Sequence, residues 1–398
     1  VGCGDSGFEP EPIVGPTVAE VIVSPAQFTV SVGAVVRLTA TPLDRDGNEM
    51  TKITVTWSSS DPDVARVEAV GGVVTGVRPG TATVTASSGG ASGAALVIVE
   101  LGGEAGVIHG LKWTFDLGGG GLAPFSGVWG SSEHDVFAVG TSQLWDCCAT
   151  IMHYDGSAWR HMEIPGWAEL FDVWGSSRSD VFAVGESGTI AHFDGTTWTL
   201  MPRATDNSLY AIWGSSGHDV FAVGYDNVIL HYDGNSWSRM LTPANLNGGW
   251  LVDVWGSSAT DVFAVGGGPI LHFDGISWSP MPSVTSNRLL GVWGSSGTSV
   301  FAVGDEGIIL HYDGTAWNPM PTPTTQELFA VWGSSESDVF AVGSKDFYPD
   351  CCAIILHYDG TVWSGVEGPT GQALFDVWGV AGHTFVVGSG PTILHGRR

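Results

Sequence analysis

Two segments of the chain end in the same tetrapeptide: Asp146-Cys147-Cys148-Ala149 and Asp350-Cys351-Cys352-Ala353. Adjacent cysteines in matched settings suit disulfide chemistry in an oxidising compartment, and four cysteines allow three pairings. Two vicinal rings are the first expectation, because the matching Asp146 and Asp350 indicate one construction used twice. Cross-links between the segments come second. A zinc site is third, since adjacent cysteines lack the usual ligand spacing. Plain loop stapling is the simplest alternative. The same segments carry Trp145, Phe347 and Tyr348, and Trp145, Trp167 and Trp250 fall outside every regular pattern of the chain. Aromatic planes grip sugar faces and partner side chains. Trp145, Asp146, Trp167, Trp250, Phe347, Tyr348 and Asp350 are therefore the expected ligand-binding set. The competing reading has these aromatics merely capping the fold.

Titratable residues recur instead of clustering. One histidine per repeat (His153, His192, His231, His272, His311, His357, His395) reads as scaffold, its ring bridging to a neighbouring Asp or Ser. Asp135, Asp180, Asp219, Asp261 and Asp338 are expected to satisfy turn amides. Asp172, Asp253 and Asp376 share one position in the repeat and could face a central channel and hold a cation. Calcium is accordingly the single cofactor candidate; otherwise no cofactor, metal site or catalytic residue is expected. Outside the repeats there is neither a carboxylate pair nor an Arg cluster of the kind a polysaccharide-cleaving enzyme would use.

The elements that position these residues come from repetition. Val-Trp-Gly or its equivalent recurs with Trp at 129, 174, 213, 255, 293, 332 and 378, at intervals of 38 to 46 residues. The fifth copy shows the full unit: Leu289 to Ser296, Val300 to Gly304, Ile309 to Gly314, then Trp317. Four short runs separated by turn chemistry cannot bury both faces of a sheet alone. Stacked radially, such units form a β-propeller. The seventh copy ends without its fourth-strand Trp, and Trp113 in Leu111–Leu117 supplies it, so an amino-terminal strand should close seven blades. A partial eighth blade is the rival, because Val107-Ile108-His109-Gly110 duplicates Ile393 to Gly396. In a four-strand meander, turns 1–2 and 3–4 share one face, which is uniform here. The variable 2–3 and 4–1 loops share the other, where function is expected.

The copies resemble the tandem Trp-Gly-Ser-Ser repeats of bacterial surface proteins, and more loosely Kelch and Asp-box propellers. In the Asp-box pattern one residue separates Asp from Gly; here they adjoin, so sialidase activity does not carry over. Upstream, runs such as Ile53-Thr54-Val55-Thr56-Trp57 and Thr81-Ala82-Thr83-Val84-Thr85-Ala86 alternate with period two, indicating a two-sheet sandwich with Trp57 in its core. Thr54 to Pro62, Gly72 to Val77 and Pro79 to Ala86 resemble the bacterial immunoglobulin-like group 2 domains, which implies a spacer or adhesive surface module. Val1-Gly2-Cys3-Gly4 resembles the end of a lipoprotein signal, which implies a lipid on Cys3. The expected organisation is all-β: a tether at 1–18, an Ig-like β-sandwich at 19–101 and a seven-bladed propeller at 106–398.

Composition narrows the partners. Lys and Arg number 14 against 41 Asp and Glu, a formal charge of −27, which excludes phosphate-backbone binding to nucleic acid and docking on anionic membranes through a basic patch. Any membrane attachment would run through the lipid alone. The functional expectation is a non-catalytic cell-surface lipoprotein that binds a glycan or a surface protein. The alternatives are a structural subunit of a surface assembly or a polysaccharide-active enzyme.

Overall fold

The computed structural model describes residues 17–31, 35–51, 53–77, 80–100, 104–108, 111–117, 124–142, 148–166, 168–243, 246, 249–345, 352–367, 372–390 and 392–398. Contacts divide the chain into Val1–Glu100 and Leu101–Arg398.

In the first unit, alternation sets which side of each strand is buried. Glu20–Ser24 buries Val21 and Val23, and Gly80–Ser88 buries Ala82, Val84 and Ala86 with the same period of two. Gln27–Ser31, Ala91–Glu100, Gly80–Ser88 and Thr56–Ser59 form one sheet in that order; Val35–Arg37, Val73–Gly76 and Ala65–Val67 form another, and Glu20–Ser24 pairs with Thr39–Leu43. Trp57 is buried in the core of this unit.

The second unit repeats one antiparallel meander. Among the described residues there are six four-stranded sheets and one five-stranded sheet. Their first strands are Phe125–Ser132, Leu170–Ser177, Leu209–Ser216, Leu251–Ser258, Leu289–Ser296, Glu327–Ser335 and Leu374–Val380. In the last sheet Leu111–Leu117 lies antiparallel to Thr392–Arg397, with Trp113 opposite Gly396, and Glu104–Ile108 pairs outside it. Each first strand lies against that of the next sheet, and Leu374–Val380 lies against Phe125–Ser132.

Two glycines of the motif follow from close approach. A Cβ at Gly256 would sit 2.6 Å from the ring of Trp213 in the preceding sheet. The same contact joins Trp129 to Gly175, Trp174 to Gly214, Trp255 to Gly294, Trp293 to Gly333, Trp332 to Gly379 and Trp378 to Gly130. Val-Trp-Gly is thus one sheet's tryptophan laid on the next sheet's glycine. The Gly of Ala-Val-Gly has a different reason. A Cβ at Gly266 would fall 2.0 Å from the carbonyl oxygen of Trp250, which crosses the strand there.

Between the sheets, a buried Phe of the second strand (Phe137, Phe182, Phe221, Phe263, Phe301 and Phe385) gathers aromatics from both sides. Phe263 stacks on Trp255 (6.3 Å) and lies 4.6 Å from His272, and it meets Tyr312 and the edge of Trp317 in the next sheet. The fourth-strand indoles of Trp237, Trp278, Trp317 and Trp363 donate to methionine sulfur of the preceding sheet, as Trp278 does to Met240 Sδ at 3.4 Å.

The recurring aspartates correct an expectation. They do not hold turn amides: Ser215 Oγ donates to Asp219 Oδ2 (2.5 Å) while His231 Nε2 lies 2.7 Å from Oδ1. Equivalent bridges join His153 to Asp135, His192 to Asp180, His272 to Asp261 and His357 to Asp338, and His311 meets Ser299 instead. From the second strand the carboxylate reaches the serine of the first strand on one side and the histidine of the third on the other. Serine takes the turn amide, as when Ser216 Oγ accepts the His218 N–H.

Candidate functional site

Every first strand of the seven sheets carries a β-bulge directly after the Leu or Phe at or next to its start. Leu251 pairs with Gly266 and Asp253 with Val265, leaving Val252 as the extra residue. The same irregularity isolates Ser126, Phe171, Tyr210, Leu290, Phe329 and Phe375. Bulges re-aim side chains. Here all seven bulged residues line a single cavity of about 480 Å³. Neighbouring rings touch across sheet boundaries, Phe171 with Tyr210 and Phe329 with Phe375, both with centroids 5.7 Å apart. Phe171, Tyr210, Phe329 and Phe375 make the wall a broken aromatic collar.

Two loop residues complete the rim. Tyr225 follows the second strand of the third sheet and forms a backbone bridge with Trp250; they are 52% and 39% exposed, and both line the cavity. Asn227, in a left-handed conformation, donates its backbone N–H to Gly249 and its side-chain amide to Leu246, fixing the loop that delivers Trp250. The mouth therefore opens among the 2–3 and 4–1 loops.

One residue further into three of the strands stand Asp172, Asp253 and Asp376, which also line the cavity. Each carboxylate stitches two sheets. Asp253 Oδ1 accepts the N–H of Val254 (2.8 Å) and Oδ2 that of Val292 in the next sheet (2.7 Å). Asp172 holds Val173 and Ile212, and Asp376 holds Val377 and Val128. Burial pushes Asp172 up to about 7, with the charge of Asp253 adding to it. Asp253 is raised to about 7 by burial as well. Burial, then Asp172, raises Asp376 well above the ordinary range.

A stability prediction follows. The folded values exceed the ordinary 3.8, so between about pH 4 and 7 the folded chain keeps protons that the unfolded chain has released. The contribution of these groups to stability is greatest in acid and declines as pH rises through 7. Asp253→Asn should gain on the wild type by about 2 kcal/mol between pH 5 and 8, measured as the difference in chemical unfolding at each pH. A difference that does not change with pH would contradict the assignment.

The expected channel aspartates are thus on the cavity wall. However, among the described residues no three His, Cys, Asp or Glu side chains gather closely enough to hold a metal ion. In five of the sheets an Asp stands between the repeated Ser and His, as Asp219 does between Ser215 and His231, whereas in the fifth sheet Ser299 Oγ lies 3.1 Å from His311 Nε2. Of the expected ligand set, Trp250 lies at the rim. Trp145, Asp146, Trp167, Phe347, Tyr348 and Asp350 lie outside the described residues, as do Cys3, Cys147 and Cys351. Cys148 and Cys352 open the third strands Cys148–Tyr154 and Cys352–Tyr358. The collar was not among the expected residues; its signal was a variable, mostly apolar position directly after a Leu that recurs in six of the seven copies.

Residues 17–99 match the bacterial Ig-like domain (group 2). The repeats match solved β-propellers at low identity. YCF48 from Cyanidioschyzon merolae is 13% identical with a TM-score of 0.56, covering 71% of this chain and 98% of that one. YCF48 bound to D1 peptide is 16% identical with a TM-score of 0.57, covering 72% and 97%. A catalytically inactive virginiamycin B lyase from Staphylococcus aureus, solved with quinupristin, is 12% identical with a TM-score of 0.57, covering 72% and 99%. The fold is all-β, an Ig-like domain followed by propeller-like repeated sheets. No curated protein matches the chain.

Proposed function

We propose that the chain is a non-catalytic binding protein of the bacterial cell exterior, anchored by lipid on Cys3. The Ig-like domain is its spacer and the axial cavity of a seven-bladed ring its binding site. The ring reading is supported by Leu111–Leu117 beside Thr392–Arg397 and by Trp378 over Gly130. One observation carries the site: the bulged residues of all seven first strands converge on one cavity. Propellers of similar fold have been solved with a peptide and with quinupristin, which agrees with a binding role. The ligand is a glycan or protein segment that enters between Trp250 and the collar.

Glycan and peptide arrays probed with the wild type, Trp250→Ala, Phe329→Ala and Ile276→Ala test this. Ile276 is 89% exposed in the Asp274-Gly275 turn between the third and fourth strands, on the opposite face. Loss of a hot-spot aromatic should weaken binding by about tenfold or more, whereas Ile276→Ala should bind as the wild type does. Binding that survives both cavity variants, or that disappears in Ile276→Ala, overturns the site. Turnover of an array sugar would overturn the non-catalytic reading.

A further inference from the structure

We propose that the group this cavity accepts is an organic cation, a substituted ammonium or guanidinium on an apolar body, held inside the aromatic collar against Asp172, Asp253 and Asp376. The inference rests on the axial-cavity reading and names the chemistry of its ligand.

Shape and charge lead to the same occupant. A cavity of about 480 Å³ is of the size that encloses a small organic molecule. Phe171, Tyr210, Phe329 and Phe375 line it, and aromatic rings attract weakly hydrated cations. Among the described residues, the titratable side chains on the wall are the three aspartates, Tyr210 and Tyr225, with no Lys, Arg or His. The aspartates cannot easily swing away, because each oxygen is fixed by a backbone N–H from one of two sheets. Every such oxygen keeps accepting capacity beyond that one bond. Carboxylates walled in together without a counter-charge carry a desolvation and repulsion cost, consistent with the upward shifts at Asp172 and Asp253. A cation offsets it. A bare metal does not fit, since the carboxylates do not gather into a coordinating cluster among the described residues. An anion would be repelled, and a neutral sugar would leave the charge unanswered. The formal charge of −27 further enriches cations around the chain.

The test is calorimetric titration of the full chain with benzyltrimethylammonium and with its uncharged isostere, neopentylbenzene. The cation should bind the wild type more tightly than the isostere at pH 8. It should weaken by about fivefold or more at pH 5.5, as protonation reduces the competent fraction. Asp253→Asn and Asp376→Asn should each lose about tenfold for the cation, the scale of one removed charge partner, and keep the affinity for neopentylbenzene. The pH series on the wild type needs no variant, so a poorly folding Asn substitution would not blunt the test. Equal binding of the two probes, or unchanged cation binding in both variants, overturns the cation proposal. In that case neopentylbenzene binding lost in Phe329→Ala would leave the axial site standing. If neither probe binds, the cation proposal falls, and the array experiment judges the site separately.

Discussion

Phe263→Ala should destabilise the second unit by about 3–5 kcal/mol, the usual cost of deleting a fully buried aromatic ring. Phe263 is 0% exposed and belongs to two sheets at once. It stacks on Trp255 and lies beside His272 in its own sheet, and it reaches Tyr312 and Trp317 in the next. The void would open at a sheet boundary, where collapse would require one whole sheet to move toward its neighbour. Thermal unfolding followed by near-ultraviolet dichroism, which reports the packed tryptophans, measures the loss. A change under 1 kcal/mol would mean that the Phe layer does not hold neighbouring sheets together. The displacement would also reach the site, because Val252 and Leu290 on the cavity wall belong to these two sheets.

Gly256→Ala should cost about 3 kcal/mol, at the upper end for one methyl group forced into a filled core. The new Cβ would lie 2.6 Å from Trp213 and 2.9 Å from the carbonyl oxygen of Asp261. Neither can yield easily: the carbonyl belongs to the hairpin of the same sheet, and the indole is packed against Phe221 at 6.3 Å. A double-mutant cycle with Trp213→Ala isolates the contact. The pair should cost clearly less than the two single substitutions added together, since removing the indole makes room for the methyl. Strict additivity would show that Trp213 does not rest on Gly256.

The repeat made the sheets legible. In the fifth unit the sequence places strands at Leu289 to Ser296, Val300 to Gly304, Ile309 to Gly314 and Trp317. The structure has Leu289–Ser296, Ser299–Gly304, Ile309–Tyr312 and Trp317–Pro319. Turn chemistry and period-two alternation carry that much. They do not carry the destination of a bulged residue. Phe171 or Phe329 reads as one more apolar residue in an alternating run, and only the convergence of seven strands turns that position into a wall. Trp250 was legible because it broke the pattern, whereas Tyr225 beside it was not. The role of Asp219 was misread for a related reason. An Asp next to a turn suits both a turn amide and a cross-strand histidine, and spacing alone does not choose between them. Asp172, Asp253 and Asp376 were found by their shared position. Their stitching of adjacent sheets depends on the backbone N–H of Ile212, Val292 and Val128, which lie remote in sequence.

The most direct measurement is a density map of the full chain with the strongest array-binding sugar or peptide bound. Density should fill the mouth ringed by Phe171, Tyr210, Phe329 and Phe375, with Trp250 at its edge. Density seated on the Gly-Ser-Ser turns, or along the outer fourth strands with the mouth left open, would contradict that placement.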